Sequence, residues 1–193
     1  HIPKLLGKSN LIFSQRYHFL TGWFGWLGDS LQLIFTLGSI FWSLAMLAFP
    51  NNFSLPVSIM IVPILCFLII KAALGPILYR KTMQCSWADI FGASLASLGL
   101  SHAIARGVMM GIVQKVGVFV VTAKTKTAVS KWKFFAPIRE ELMILIGLTL
   151  SAIAMLSSRG FTNVDAQLWV SMLALQSLPY ISALTCQLIS QKD

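Results

Sequence analysis

Leu31-Gln-Leu-Ile-Phe-Thr-Leu-Gly-Ser-Ile-Phe-Trp-Ser-Leu-Ala-Met-Leu-Ala-Phe49 decides how this chain folds. It carries no charge, it is bounded by Asp29 on one side and Pro50-Asn51-Asn52 on the other, and it has the length that a hydrocarbon core of roughly 30 Å requires of a helix. A stretch of this kind is a membrane span. The rest of the chain agrees: its 193 residues are 56% hydrophobic and 11% charged, with mean hydropathy +0.78, against about 25% charged residues in ordinary soluble domains.

Three further stretches read as spans. Leu55 to Leu78 carries Lys71 near one end, where its stem can snorkel, and Pro63 and Pro76, which favour kinks. Leu142 to Leu156 and Leu168 to Ile189 are joined by Ser157 to Asp165. The net charge of +9 resolves into 15 basic and 6 acidic residues, and Lys and Arg are placed asymmetrically. Lys4, Lys8 and Arg16 precede the first span, nine basic residues from Arg80 to Arg139 lie between the second and third, and the other two connections hold only Arg159. Short loops rich in Lys and Arg remain cytoplasmic, so four spans with both termini inside satisfy the rule.

Trp87 to Val113 is apolar enough to span, but it carries His102 and Arg106 on one helical face, and a crossing there would put Lys115 to Lys133 on the wrong side. We read it as an amphipathic helix at the cytoplasmic interface, with a second such helix at Ile12 to Leu27, where Arg16, His18, Trp23 and Trp26 suit the headgroup level. The expected fold is therefore all-α and integral to the membrane, with about four transmembrane helices, two amphipathic interfacial helices and a cytoplasmic loop. Residues 1–28 form a cytoplasmic lead-in, 29–79 the first two spans, 80–140 the interfacial helix and loop, and 141–193 the last two spans.

The loop contains Phe119-Val-Val-Thr-Ala-Lys124. A Thr hydroxyl and a Lys ammonium on a mobile loop can donate to diphosphate oxygens, with Phe119 and Val121 as an apolar anchor on closure. The competing reading is a basic loop held to anionic lipid by Lys126, Lys131 and Lys133. Both stand on the residues alone.

An apolar interfacial helix beginning near Ser86-Trp-Ala-Asp-Ile90, then Phe119-x-Val121-Thr122-x-Lys124, then two closing spans resembles the C-terminal membrane half of the processive family 2 glycosyltransferases, bacterial cellulose synthase among them. The resemblance implies that Phe119, Val121, Thr122 and Lys124 belong to a gating loop that closes over a UDP-sugar at the mouth of a glycan channel. It implies a bacterial inner membrane location, an upstream glycosyltransferase domain of the same protein, a growing polysaccharide as cargo, and a divalent Mg or Mn ion in the parent enzyme. Gln15-Arg16-Tyr17-His18-Phe19 has the glutamine of the family's acceptor-binding QxxRW motif but His18-Phe19 where Arg-Trp is required, so that motif is expected upstream of His1.

Other polar residues allow two readings each. His102 and Arg106 either contact the nucleotide or a docked catalytic domain, or mark the polar face of an interfacial helix. Asp29, Gln32 and Trp42 either line a sugar channel or serve as a helix cap and interface anchors. Glu140-Glu141 look like a carboxylate pair, but neighbours on a helix point about 100° apart, and a role at the start of the third span fits better. The six acidic residues, Asp29, Asp89, Glu140, Glu141, Asp165 and Asp193, include no DxD pair, so the chain holds no catalytic or metal-binding set of its own and none of the carboxylates that sugar transfer needs. Cys66, Cys85 and Cys186 lack metal-ligand spacing and read as packed thiols. Nucleic acid is not an expected partner, because no basic stripe is interleaved with stacking aromatics. The chain reads as part of a longer protein that polymerises a β-glycan and moves it across the membrane; the alternative is a stand-alone transporter or membrane scaffold.

Overall fold

The computed structural model describes residues 12–56, 58–83, 85–113 and 135–190, and among them there are only helices and their connections. We number the long helices α1 (Phe13–Ala48), α2 (Ser58–Met83), α3 (Trp87–Val113), α4 (Arg139–Arg159) and α5 (Val164–Ile189); a short 3-10 turn, Ala136–Ile138, leads into α4. All five are long and apolar enough to cross a membrane.

The surface of α1 shows what solvent this fold is built for. Its buried stripe includes Ser30, Leu33, Thr36, Ser39, Ser43 and Met46, whereas Leu31, Ile34, Leu37, Phe41 and Leu44 face outward. In water this would be inside out. In lipid it is the stable arrangement, because outward leucines lose nothing against hydrocarbon while small residues let helices approach closely. The hydroxyls are satisfied within the helix: Thr36 donates to the Gln32 carbonyl at 2.9 Å, Ser39 to Phe35 at 2.8 Å and Ser43 to Ser39 at 2.8 Å. The chain is a membrane protein.

Helix α1 runs 36 residues without a break, about 54 Å at 1.5 Å per residue. The sequence suggested an interfacial helix followed by a span; the structure makes Ile12 the lead-in to one continuous rod that contains both, since no proline intervenes. Pro50 ends it. The Asn52 and Phe53 amides then both donate to the Phe49 carbonyl, at 3.0 and 3.1 Å, and reverse the chain. Trp42 secures this turn, with its indole edge-on to Phe53 at 5.2 Å and its N–H donating to the Ser54 carbonyl at 3.4 Å. Helix α2 contains Pro63 and Pro76 and remains one helix across both.

Contacts along the helices fix their directions. Trp169 meets Ser43 and Gln176 meets Ser39, so α5 is antiparallel to α1. Ile61 lies at the level of Trp42 and Leu68 at that of Leu31, so α2 is antiparallel as well. Glu140 and Ile144 accompany Leu33 and Leu37, and a Cβ on Gly147 would lie 3.2 Å from Ile40, so α4 is parallel to α1. Helices α1, α2, α4 and α5 thus run up, down, up and down, with α5 packed against α2, α3 and α4. Its Trp169, Met172, Leu173 and Tyr180 form one core with Met46, Ile61, Leu68, Leu148 and Met155.

Helix α3 departs from this pattern. Trp87 lies under Arg80 at the end of α2, with the guanidinium 4.6 Å from the ring centre. Gly99 meets Ala183 near the end of α5, His102 meets Glu140 at the start of α4, and Ser30 of α1 donates to the Ala105 carbonyl at 3.4 Å. Val108, Gly111 and Ile112 then lie against Leu20 to Leu27. Every one of these neighbours belongs to the same end of the bundle. That end also carries Arg80, Lys81, Arg106 and Arg139, whereas the opposite end, among the described residues, has Arg159. Ser86 starts α3 by accepting from the Asp89 amide at 3.3 Å and donating to the Asp89 carboxylate at 2.6 Å.

Candidate functional site

Two features converge inside the apolar bundle. The first is a seam between α1 and α5. The Trp169 indole donates to the Ser43 hydroxyl at 2.9 Å, the Gln176 amide nitrogen donates to the Ser39 hydroxyl at 3.3 Å, and Tyr180 lies beside the Thr36 side chain. These α5 residues recur at helical spacing on one face, and the α1 stripe supplies a small hydroxyl opposite each. Gln176 is 0% exposed, and its carbonyl oxygen has no hydrogen-bond partner among the described residues. A buried unpartnered amide oxygen costs about 1–3 kcal/mol.

The seam leads to the basic end of the bundle. There the His102 ring stands edge-on to Tyr180 at 6.0 Å, with its Nε2 3.3 Å from Glu140 Oε2. Arg106, one turn on, reaches the other oxygen of the same carboxylate, Nη1 to Oε1, at 2.9 Å. Glu140 thus joins α3 to the first turn of α4, where the helix dipole also favours a negative charge. His102 is 8% exposed and its Nδ1 has no hydrogen-bond partner among the described residues, whereas the Arg106 and Glu140 side chains are about half exposed, at 53% and 44%.

The second feature is a lateral cleft. Helices α1 and α2 follow one another through a tight turn yet make little contact, because α2 packs instead on α5 and α3. The gap is lined by Ile34, Gly38, Ser39 and Trp42 of α1, Ile61 of α2 and Trp169 of α5 in a cavity of about 680 Å³. A second cavity of about 300 Å³, lined by Gly28, Leu31, Gln32 and Leu68, continues it toward the basic end, with Phe35 and Ile64 shared by both. Ser39 connects the two features, since it lines the cleft and accepts from buried Gln176 behind it.

Sequence reasoning placed functional residues in three groups and weighed Glu140 and Glu141 beside them. Phe119, Val121, Thr122 and Lys124 lie outside the described residues. Gln32 and Trp42 both line the cleft; Asp29 is adjacent to its Gly28 rim but is not among its lining residues. His102 and Arg106 do share a face, and the partner they meet is Glu140 of their own chain. Glu140 and Glu141 both stand in the first turn of α4. The seam residues Trp169, Gln176 and Tyr180 were missed, although a Trp, a Gln and a Tyr at spacings of seven and four within an apolar helix were the available signal.

Among the described residues no three His, Cys, Asp or Glu side chains converge on a point where a metal ion would sit. No family model, no curated protein and no solved structure matches the chain.

Proposed function

We propose that this chain is the membrane region of a processive family 2 glycosyltransferase, which polymerises a β-glycan from a UDP-sugar and passes it outward through the inner membrane. In this reading α1, α2, α4 and α5 are the four spans, α3 is an interfacial helix, and the basic end of the bundle faces the cytoplasm. The observation that carries it is the run of α3 neighbours from Arg80 to Leu20, all at one end of the bundle, with Glu140 of α4 at the same end. A helix with those neighbours suits a place along the interface, and in this reading the Phe119–Lys124 motif that follows it in the chain belongs to the side where nucleotide-sugars are found.

Thr122 and Lys124 hold the donor diphosphate by charge-assisted hydrogen bonds, and Phe119 and Val121 seat the loop when it closes. The cleft between α1 and α2 offers a path with an indole at one end, at Trp42, and a primary amide at the other, at Gln32, which suit the faces and hydroxyls of a passing sugar. The carboxylates, the metal and the transferase chemistry belong to a cytoplasmic domain upstream, and the growing polysaccharide is the cargo. The alternative of a transporter or scaffold draws support from the unpartnered Gln176 oxygen, since buried polar groups in membranes often mark substrate paths.

The test is polymer synthesis by the full-length protein in membrane vesicles, supplied in turn with labelled UDP-glucose, UDP-N-acetylglucosamine and UDP-glucuronate. Thr122→Ala and Lys124→Ala should each depress synthesis at unchanged protein level. Synthesis at the native rate in both variants would remove the gating assignment, and absence of product from any UDP-sugar in the native protein would remove the family.

A further inference from the structure

Helices α1, α3 and α4 enclose a groove of about 390 Å³ at the basic end of the bundle, lined by Leu33, Leu37, Met109, Met110, Met143 and Ile144, with His102, Arg106 and Glu140 at its polar side. Its volume is within the roughly 300–1,000 Å³ of ordinary small-molecule sites. Outward-facing apolar side chains at this level meet lipid, and four of the lining side chains, Leu37, Met109, Met110 and Met143, are exposed. Methionine suits an occupant with no fixed shape, because its unbranched thioether repacks at low cost.

The charges select the headgroup. The opposite charges of Arg106 and Glu140 cancel, so a simple anion gains no net attraction from the pair and is repelled by the carboxylate. The pair is instead a dipole whose two ends are each about half open. The guanidinium has five N–H donors and the carboxylate about four acceptor positions, of which the Arg106–Glu140 and His102–Glu140 contacts use a minority. A ligand carrying a phosphate and, within a few bonds, an ammonium with N–H donors complements both ends at once. We propose that this groove is a binding site for a zwitterionic phospholipid with a phosphoethanolamine headgroup, with phosphate on Arg106, ammonium on Glu140 and acyl chain along Leu37, Met109 and Met143.

This rests on the membrane nature of the chain and not on the glycosyltransferase reading. The full-length protein, reconstituted in nanodiscs of phosphatidylcholine doped in turn with phosphatidylethanolamine, its N-monomethyl derivative or phosphatidylglycerol, is delipidated stepwise, and the retained lipid is read by native mass spectrometry. Phosphatidylethanolamine should be retained over phosphatidylcholine by roughly tenfold, the worth of one charge-assisted hydrogen bond that choline cannot make. The monomethyl lipid, which keeps N–H donors, should stay close to phosphatidylethanolamine. Glu140→Gln should reverse the selectivity toward phosphatidylglycerol, because it leaves Arg106 unneutralised, and Arg106→Gln should abolish retention of both. Met143→Trp fills the groove with the charges intact and should lower retention at unchanged headgroup preference. Equal retention of ethanolamine and choline lipids by the native protein overturns the proposal, as does a native preference for phosphatidylglycerol or an ethanolamine preference that survives Glu140→Gln.

Discussion

Gly99 of α3 and Ala183 of α5 are so close that a Cβ on the glycine would lie 3.2 Å from the Ala183 amide nitrogen and 3.3 Å from its Cα. The neighbours are backbone atoms, which cannot rotate away. The α3–α5 junction therefore depends on the missing side chain, as close helix crossings in lipid commonly do.

Gly99→Ala should destabilise the protein by about 1–3 kcal/mol through overpacking, and Gly99→Leu by more. Gly92, in the same helix, has nothing within 4 Å of the equivalent position, so Gly92→Ala should be neutral or stabilising by up to about 1 kcal/mol. Reversible unfolding in mixed micelles measures both. Equal effects at the two glycines would mean that α3 does not rest on α5 as described.

The indole of Trp169 and the hydroxyl of Ser43 form the shorter of the two side-chain hydrogen bonds described across the seam, at 2.9 Å against 3.3 Å for Gln176 and Ser39. Side-chain hydrogen bonds between membrane helices average about 0.6 kcal/mol and reach about 1.7. A double-mutant cycle of Ser43→Ala and Trp169→Phe should give a coupling energy in that range. Zero coupling would show that the two groups do not meet in the membrane.

Gln176 should behave in the opposite sense. Its buried carbonyl oxygen is unpartnered, so Gln176→Leu removes a desolvation cost and should leave stability unchanged or raise it by about 1 kcal/mol. If the polar seam serves transport of a sugar chain, the same substitution should lower polymer output. A stabilised variant with full output would make the seam a structural feature alone.

The position of α3 is tested by labelling. In a protein with Cys66, Cys85 and Cys186 replaced by serine, a cysteine at Lys126 should react with an impermeant maleimide only from the cytoplasmic side, and one at Phe161, in the connection between α4 and α5, only from outside. External labelling at position 126 would make α3 a fifth span.

The long apolar helices were legible because lipid imposes length and polarity on any helix that crosses it, and Leu31 to Phe49 satisfies both in a single uninterrupted run. The union of the lead-in helix with that span was not legible: Arg16, His18 and Trp23 mark the headgroup level, but nothing in such residues says whether the axis bends there. His102 and Arg106 were visible as one face. Their partner Glu140 is 38 residues from His102, and proximity at that separation is set by packing that no local pattern encodes. The hydroxyl stripe from Ser30 to Ser43 was hidden by a habit carried from soluble proteins, in which small polar residues mark the outside; in lipid the same periodicity marks the inside. The motif at Phe119 to Lys124 lies outside the described residues, and packing rules do not reach it.

The unbroken length of α1 gives it a mechanical property. Trp23, beside the last turns of α3, and Trp42, at the far end of the cleft, are fixed to one stiff shaft without an intervening proline. A torque applied at the Trp23 end of that shaft is carried along its length to the Trp42 end. The gap between α1 and α2 would then widen and narrow in time with events on the other side of the membrane, with α1 acting as a crank.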